Sequence, residues 1–195
     1  MQQHILASLE DARQGLDALI SSSASLERVE AAARLLIATF RAGQRAFSCG
    51  NGGSMSDAIH FAEELSGRYR DNRAGLSALA MSDVGHITCV ANDFGYDAIF
   101  SRYLESHGRA GDCLLAISTS GRSPNVIKAV EAARSLGIKV ISLTGKPDSA
   151  LGRLADVDIC TPAGRYADRV QELHIKVIHI LIELIERDFF PENYR

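Results

Sequence analysis

Residues 113–124 read Cys-Leu-Leu-Ala-Ile-Ser-Thr-Ser-Gly-Arg-Ser-Pro. Five apolar residues in a row, Cys113 to Ile117, predict a strand buried on both faces. Hydroxyls and a glycine follow. Pro124 then suits the first turn of a helix, where its missing N–H has no partner to lose. The stretch is a strand–loop–helix unit, the building block of a parallel sheet.

The same rhythm extends in both directions. Upstream, residues 45–49 and 77–81 predict short strands. Between them lies a turn at Gly50–Gly53 and a helix from Ser54 to about Arg68. Residues 84–91 and 95–107 predict helices. Downstream, the helix opened by Pro124 ends at Gly137, residues 139–143 and 157–160 predict strands, and residues 167–188 a long helix. Residues 3–20 and 25–41 predict two leading helices. In the second, Leu26, Val29, Ala33, Leu36, Ile37 and Phe40 recur at helical spacing. The expected fold is α/β: one domain over 1–195, a five-stranded parallel sheet flanked by helices, with a helical extension over about 1–42 and a core over about 43–195.

Composition narrows the function. The formal net charge of −3 offers no bulk basic field for nucleic acid or anionic lipid. An anionic ligand then needs local donors. The most apolar stretch, Ile175 to Ile185, is short and is interrupted by Lys176, His179 and Glu183, which predicts a buried helix rather than a membrane span. The N-terminus lacks a charged region followed by an apolar run, so no signal peptide is expected. Cys49, Cys89, Cys113 and Cys160 form no C-x-x-C pair. Buried, reduced thiols and a cytoplasmic setting are expected.

In parallel sheets ligands bind at the carboxyl ends of strands. Two loops qualify. Ser118–Ser123 places four hydroxyls before a helix N-terminus, which suits phosphate or a capped turn. Gly50–Ser54 is neither a dinucleotide fingerprint nor a P-loop. It is either a plain glycine turn or a place where Asn51 and Ser54 meet sugar hydroxyls. His60 and Glu64, four apart, share one helix face. Such a pair suits zinc, a general base with an orienting partner, or a solvated ion pair. The last helix carries Asp168, Gln171, His174 and His179 beside a stripe of isoleucines. There His179 is either a core histidine or an acid complementary to Glu64.

The segments CGNGGS (49–54), HFAEELSGRYR (60–70), ANDFG (91–95), LLAISTSGRSPNVIKAV (114–130), ISLTGK (141–146) and YADRVQELHIKVIHILIELIE (166–186) resemble the sedoheptulose-7-phosphate isomerase family, built on the sugar-isomerase (SIS) fold. The resemblance spans about residues 30–187. It implies an aldose–ketose isomerase that makes glycero-manno-heptose 7-phosphate, with Glu64 as base and His179 as acid. It further implies that Asn51, Gly52, Gly53, Asn92, Asp93, Glu64 and Gln171 contact substrate. Ser118, Thr119, Ser120 and Ser123 would hold phosphate. Zinc would sit on His60, Glu64, Gln171 and His179, and Arg68 and Asp168 match further active-site positions. A homotetramer with active sites between subunits is implied as well. Relatives with this fold include a protein that binds the replication initiator and phosphosugar sensors. The initiator-binding relative lacks the residues matching Glu64 and His179, which favours the enzyme. One geometric tension accompanies the zinc set: eight residues separate Gln171 from His179, about 12 Å along a helix.

Overall fold

Strand residues alternate between the two faces of a sheet, so a run that is apolar throughout calls for cover on both sides. The strand at Cys113–Ser118 does this: Cys113, Leu115 and Ile117 enter one core, and Leu114 and Ala116 the other. The computed structural model describes residues 1–195. In chain order its elements are α1 (Gln2–Ser21), α2 (Ser23–Arg41), β1 (Ala46–Cys49), α3 (Gly53–Ser66), β2 (Ala78–Ala80), α4 (Val84–Phe94) and α5 (Ile99–His107). They continue with β3 (Cys113–Ser118), α6 (Pro124–Ser135), β4 (Lys139–Thr144), α7 (Ala150–Leu154), β5 (Val157–Cys160) and α8 (Ala167–Phe189).

All five strands run parallel in the order β2-β1-β3-β4-β5. The chain leaves β1 toward one edge and β3 toward the other, so the order reverses between these two neighbours. Ligands of open α/β sheets bind at such a switch point. The loops after β1 and β3 are the two that the sequence marks.

Helices α2, α3 and α8 cover one face, and α4, α5, α6 and α7 the other. Of the two N-terminal helices, α2 is part of the core, with Leu36 fully buried and much of its inner face with it, while α1 buries only Gly15 and Leu19. Phe61 and Leu65 of α3 and Ile178, Leu181, Ile182 and Ile185 of α8 are likewise fully buried. Truncating Phe61 to Ala removes about 3–5 kcal/mol. Helices α3 and α8 therefore lie side by side and run the same way, away from the switch point.

Several boundaries differ from expectation. Helix α4 runs on to Phe94 and stops because Gly95 takes φ 87°; a short 3-10 turn, Tyr96–Ala98, precedes α5. Helix α7 was not expected, since five residues carry too little periodicity to register. Cys49 and Cys113 are buried and Cys160 is half-buried, but Cys89 is exposed on α4, so buried thiols describe only part of the set.

Candidate active site

The β1–α3 turn and the β3–α6 turn are stitched together. Asn51 Nδ2 donates to Asn125 Oδ1 at 2.9 Å, and Asn125 Nδ2 returns a bond to Asn51 Oδ1 at 2.8 Å. The Tyr96 hydroxyl adds a third bond, to Asn51 Oδ1 at 3.0 Å. Much of the amide of Asn51 is thus used within the chain. Asn92 and Asp93 are exposed on the last turn of α4, hydrogen-bonded to each other at 2.8 Å and carried near the site by neighbouring Tyr96.

The β3–α6 loop gathers its hydroxyls. Ser118 Oγ lies 3.0 Å from Ser123 Oγ and 3.5 Å from Ser120 Oγ, above the N-terminus of α6. Gly121 holds φ 61°, and a Cβ there would stand 2.3 Å from the Ser149 side chain, so only glycine lets the loop close on α7. Thr119 and Ser120 also line a cavity of about 180 Å³ together with Lys146, Arg165 and Tyr166. Neither Lys146 nor Arg165 has a carboxylate partner, and sequence reasoning did not single them out. The carboxylate of Asp168, at the start of α8, accepts the backbone N–H of Arg169 at 2.9 Å and is exposed, as is Arg68 just beyond α3.

Along the α3–α8 groove, the side-chain amide of Gln171 rests on Gly53: a Cβ at residue 53 would meet Gln171 Nε2 at 2.4 Å. Two turns further, His60 Nε2 meets His179 Nε2 at 2.8 Å and Glu64 Oε1 at 3.5 Å. The other ring nitrogen of His60 faces Glu63 Oε1 at 3.0 Å. In the neutral ring Nδ1–H donates to that carboxylate, so His60 Nε2 accepts and His179 Nε2–H donates. Tyr69 packs against the His179 ring, centroids 5.7 Å apart.

Charge is tuned here. Burial pushes the Glu64 carboxyl above the ordinary carboxylate value, with Glu63 adding to the shift and His60 opposing it. Burial also lowers His179, with His60, Lys176 and Arg70 adding to the shift. Asp57, one turn before His60, was not anticipated. Its Oδ2 is buried without a hydrogen-bond partner, and burial pushes the carboxyl up to about 6 against the pull of His60. His174, the other histidine of α8, is the core one: fully buried, with Nε2 on the Thr144 carbonyl at 3.2 Å.

A divalent cation fits part of this set. Ligand atoms on a tetrahedral zinc with bonds of about 2.0–2.1 Å stand ~3.3 Å apart. The 2.8 Å and 3.5 Å spacings around His60 Nε2 bracket that value. His60, Glu63 and Glu64 also offer ligand atoms within 4.8 Å of one another. Gln171 stands apart from this group, because Gly53 and His60 are separated by about 10 Å of axial rise. The chain itself brings together His60, Glu64 and His179, and leaves Gln171 at the mouth of the groove.

The SIS domain profile matches residues 9–145. The phosphoheptose isomerase of Klebsiella pneumoniae is 57% identical over 187 residues, covering 96% of this chain and 97% of the relative. The solved structure of phosphoheptose isomerase GmhA from Neisseria gonorrhoeae superposes with a TM-score of 0.88 at 35% identity, covering 95% of this chain and 98% of that one. That of a phosphoheptose isomerase from Francisella tularensis gives 0.88 at 31%, with the same coverage.

Proposed function

The chain belongs to the phosphoheptose isomerase family of SIS-domain proteins, and from that premise we propose that it interconverts sedoheptulose 7-phosphate and D-glycero-D-manno-heptose 7-phosphate. The single observation that carries the reading is His60 Nε2 standing within 2.8 Å of the His179 imidazole and 3.5 Å of the Glu64 carboxylate. One base and one acid thus share a groove that opens at an anion site.

Phosphate binds the Ser118–Ser123 hydroxyls and the N-terminal amides of α6, with Thr119 contributing and Lys146 and Arg165 supplying charge from across the adjoining cavity. The sugar extends past Asn51, Gly52, Gly53, Ser54 and Gln171 toward α3, and Asn92, Asp93, Arg68 and Asp168 flank it.

Chemistry takes place at the two carbons next to the ketose carbonyl. The Glu64 carboxylate removes a proton from C1 while His179 Nε2–H protonates O2, which gives a neutral enediol. Glu64 then returns its proton to C2, and His179 recovers one from O1, leaving the aldose. No atom is gained or lost. Burial moves the carboxyl upward and the imidazolium downward, so base and acid approach each other in proton affinity, as a two-way transfer requires. With zinc held by His60, Glu64 and His179, the His179 Nε2 would be a ligand rather than the proton donor, and the ion would supply Lewis-acid polarisation of the sugar oxygens instead; Gln171 would join only after moving.

A homotetramer with sites between subunits accords with α1, whose Ile5, Leu6, Leu9 and Ile20 remain exposed. The reaction would open ADP-heptose synthesis for the lipopolysaccharide core, in the cytoplasm; no helix here is long and apolar enough to cross a membrane. Incubation with sedoheptulose 7-phosphate, with and without chelator, tests the reading. Formation of the aldose is expected, and its absence in both arms refutes the assignment.

A further inference from the structure

After leaving α3 the chain brings Arg73 back beneath the helix it has just completed. The Arg73 side chain is 1% exposed and meets Glu186, 0% exposed, at 2.6 Å. Its Nη2 donates to the backbone carbonyl of Glu64 at 2.6 Å. Its Nη1 donates to the carbonyls of Leu65 at 2.7 Å, Gly67 at 3.1 Å and Ala74 at 3.2 Å. The second oxygen of Glu186 accepts the Tyr194 hydroxyl at 2.8 Å, so the short turn Pro191–Tyr194 closes over the pair.

Stability alone explains this poorly, because a buried ion pair gives back much of its attraction as desolvation. What it supplies is direction. A guanidinium donates in a fixed planar fork, and here every arm ends on α3, the segment after it, or α8. The last carbonyls of a helix lack internal partners and fray unless something holds them. One of those held belongs to Glu64. Glu186 lies seven residues beyond His179, two turns along the same face of α8.

We propose that Arg73, clamped by Glu186 and Tyr194, is a positioning residue that fixes the backbone of Glu64 against the helix of His179 and so sets the spacing of base and acid. The inference rests on Glu64 and His179 having those roles.

Arg73→Lys keeps the charge and loses the fork. Its kcat on the phosphosugar is expected to fall about tenfold or more while KM stays within about twofold. Arg73→Ala supplied with millimolar guanidinium should recover part of that loss. A kcat within about twofold of the parent, or a change confined to KM, overturns the proposal. If both Arg73 variants fail to fold, Tyr194→Phe decides, since it removes one donor and leaves the ion pair: a kcat lowered about threefold supports the clamp, and an unchanged kcat overturns it. Leu104→Ala, in the core on the opposite face of the sheet, controls for lost stability; an equal fall in kcat there also overturns it. The imidazole NMR signals of His60 and His179 separate this test from that of the activity itself. They should shift in Arg73→Lys even if the parent were inactive on the phosphosugar, and unchanged signals refute the clamp.

Discussion

His60 and His179, 119 residues apart, meet nitrogen to nitrogen at 2.8 Å across the groove between α3 and α8. At that distance one ring must donate and the other accept, or both must face a shared cation. With Glu63 on the far side of His60, the donor is His179. The contact joins the proposed acid to the helix of the proposed base.

Glu64→Gln keeps the shape and removes the proton acceptor. Turnover should fall by about three orders of magnitude or more, with substrate affinity by titration changed by less than about threefold. His179→Gln should lose about a hundredfold in kcat. A near-parental rate in either variant would withdraw that residue from proton transfer.

Gly53→Ala tests the mouth of the groove. The added methyl would sit 2.4 Å from Gln171 Nε2. The obstacle is the far end of a flexible side chain, so the amide gives way and the fold does not. KM should rise several-fold while Tm moves by less than about 2 °C, since the helix itself prefers Ala. An unchanged KM would show that the place of Gln171 does not matter to binding.

Lys146→Met removes a cation from the cavity beside Thr119 and Ser120. KM for the phosphosugar should rise about tenfold, and its dependence on ionic strength should weaken. Equal salt dependence in parent and variant would exclude Lys146 from the phosphate end.

Asp57 gives a pH signature. Its folded pKa of about 6 exceeds the ordinary 3.8, so the folded chain binds the proton more tightly than the unfolded one. Stability therefore falls as pH rises from about 3.8 to about 6, and the penalty is complete above that. Asp57→Asn should stabilise the protein at pH 7.5 by about 1 kcal/mol, a figure reduced for the solvent that reaches the group. That raises Tm by about 2–4 °C. At pH 3.5 the two chains should melt together. No gain at pH 7.5 would mean that a donor outside this chain satisfies Asp57.

His174 works the other way. Burial lowers its pKa from 6.5 to about 4. The unfolded chain then binds the proton more tightly, so stability is full above about 6.5 and is lost as pH falls toward 4, by about 3 kcal/mol. In His174→Gln, which keeps a donor for the Thr144 carbonyl, melting temperature should fall less between pH 7 and pH 4.5. Parallel curves would place the acid sensitivity elsewhere.

Much of the fold was legible because local signals agreed. The run Cys113–Ile117 is apolar on both faces, Pro124 marks a helix start, and the isoleucines of α8 recur at helical spacing. The glycine turn and the hydroxyl loop stand out because each follows a strand. Less was legible where signals are short or distant. Helix α7 is a single turn or so. Arg73 reads as one more surface arginine, and nothing around it announces a partner 113 residues away. Lys146 and Arg165 look alike in sequence to cations that are merely solvated.

Read alone, the chain determined most of its elements, the parallel sheet that short buried strands impose, the two loops at their carboxyl ends, and the shared face of His60 and Glu64. These depend on neighbours within a turn or two, where backbone geometry sets spacing. Only the tertiary structure decided which ends of α3 and α8 face each other. It set Gln171 on Gly53 and His179 on His60, and it turned Arg73 inward to Glu186. Two helices more than a hundred residues apart acquire a register only by packing on the same sheet, and no local pattern encodes the offset between them.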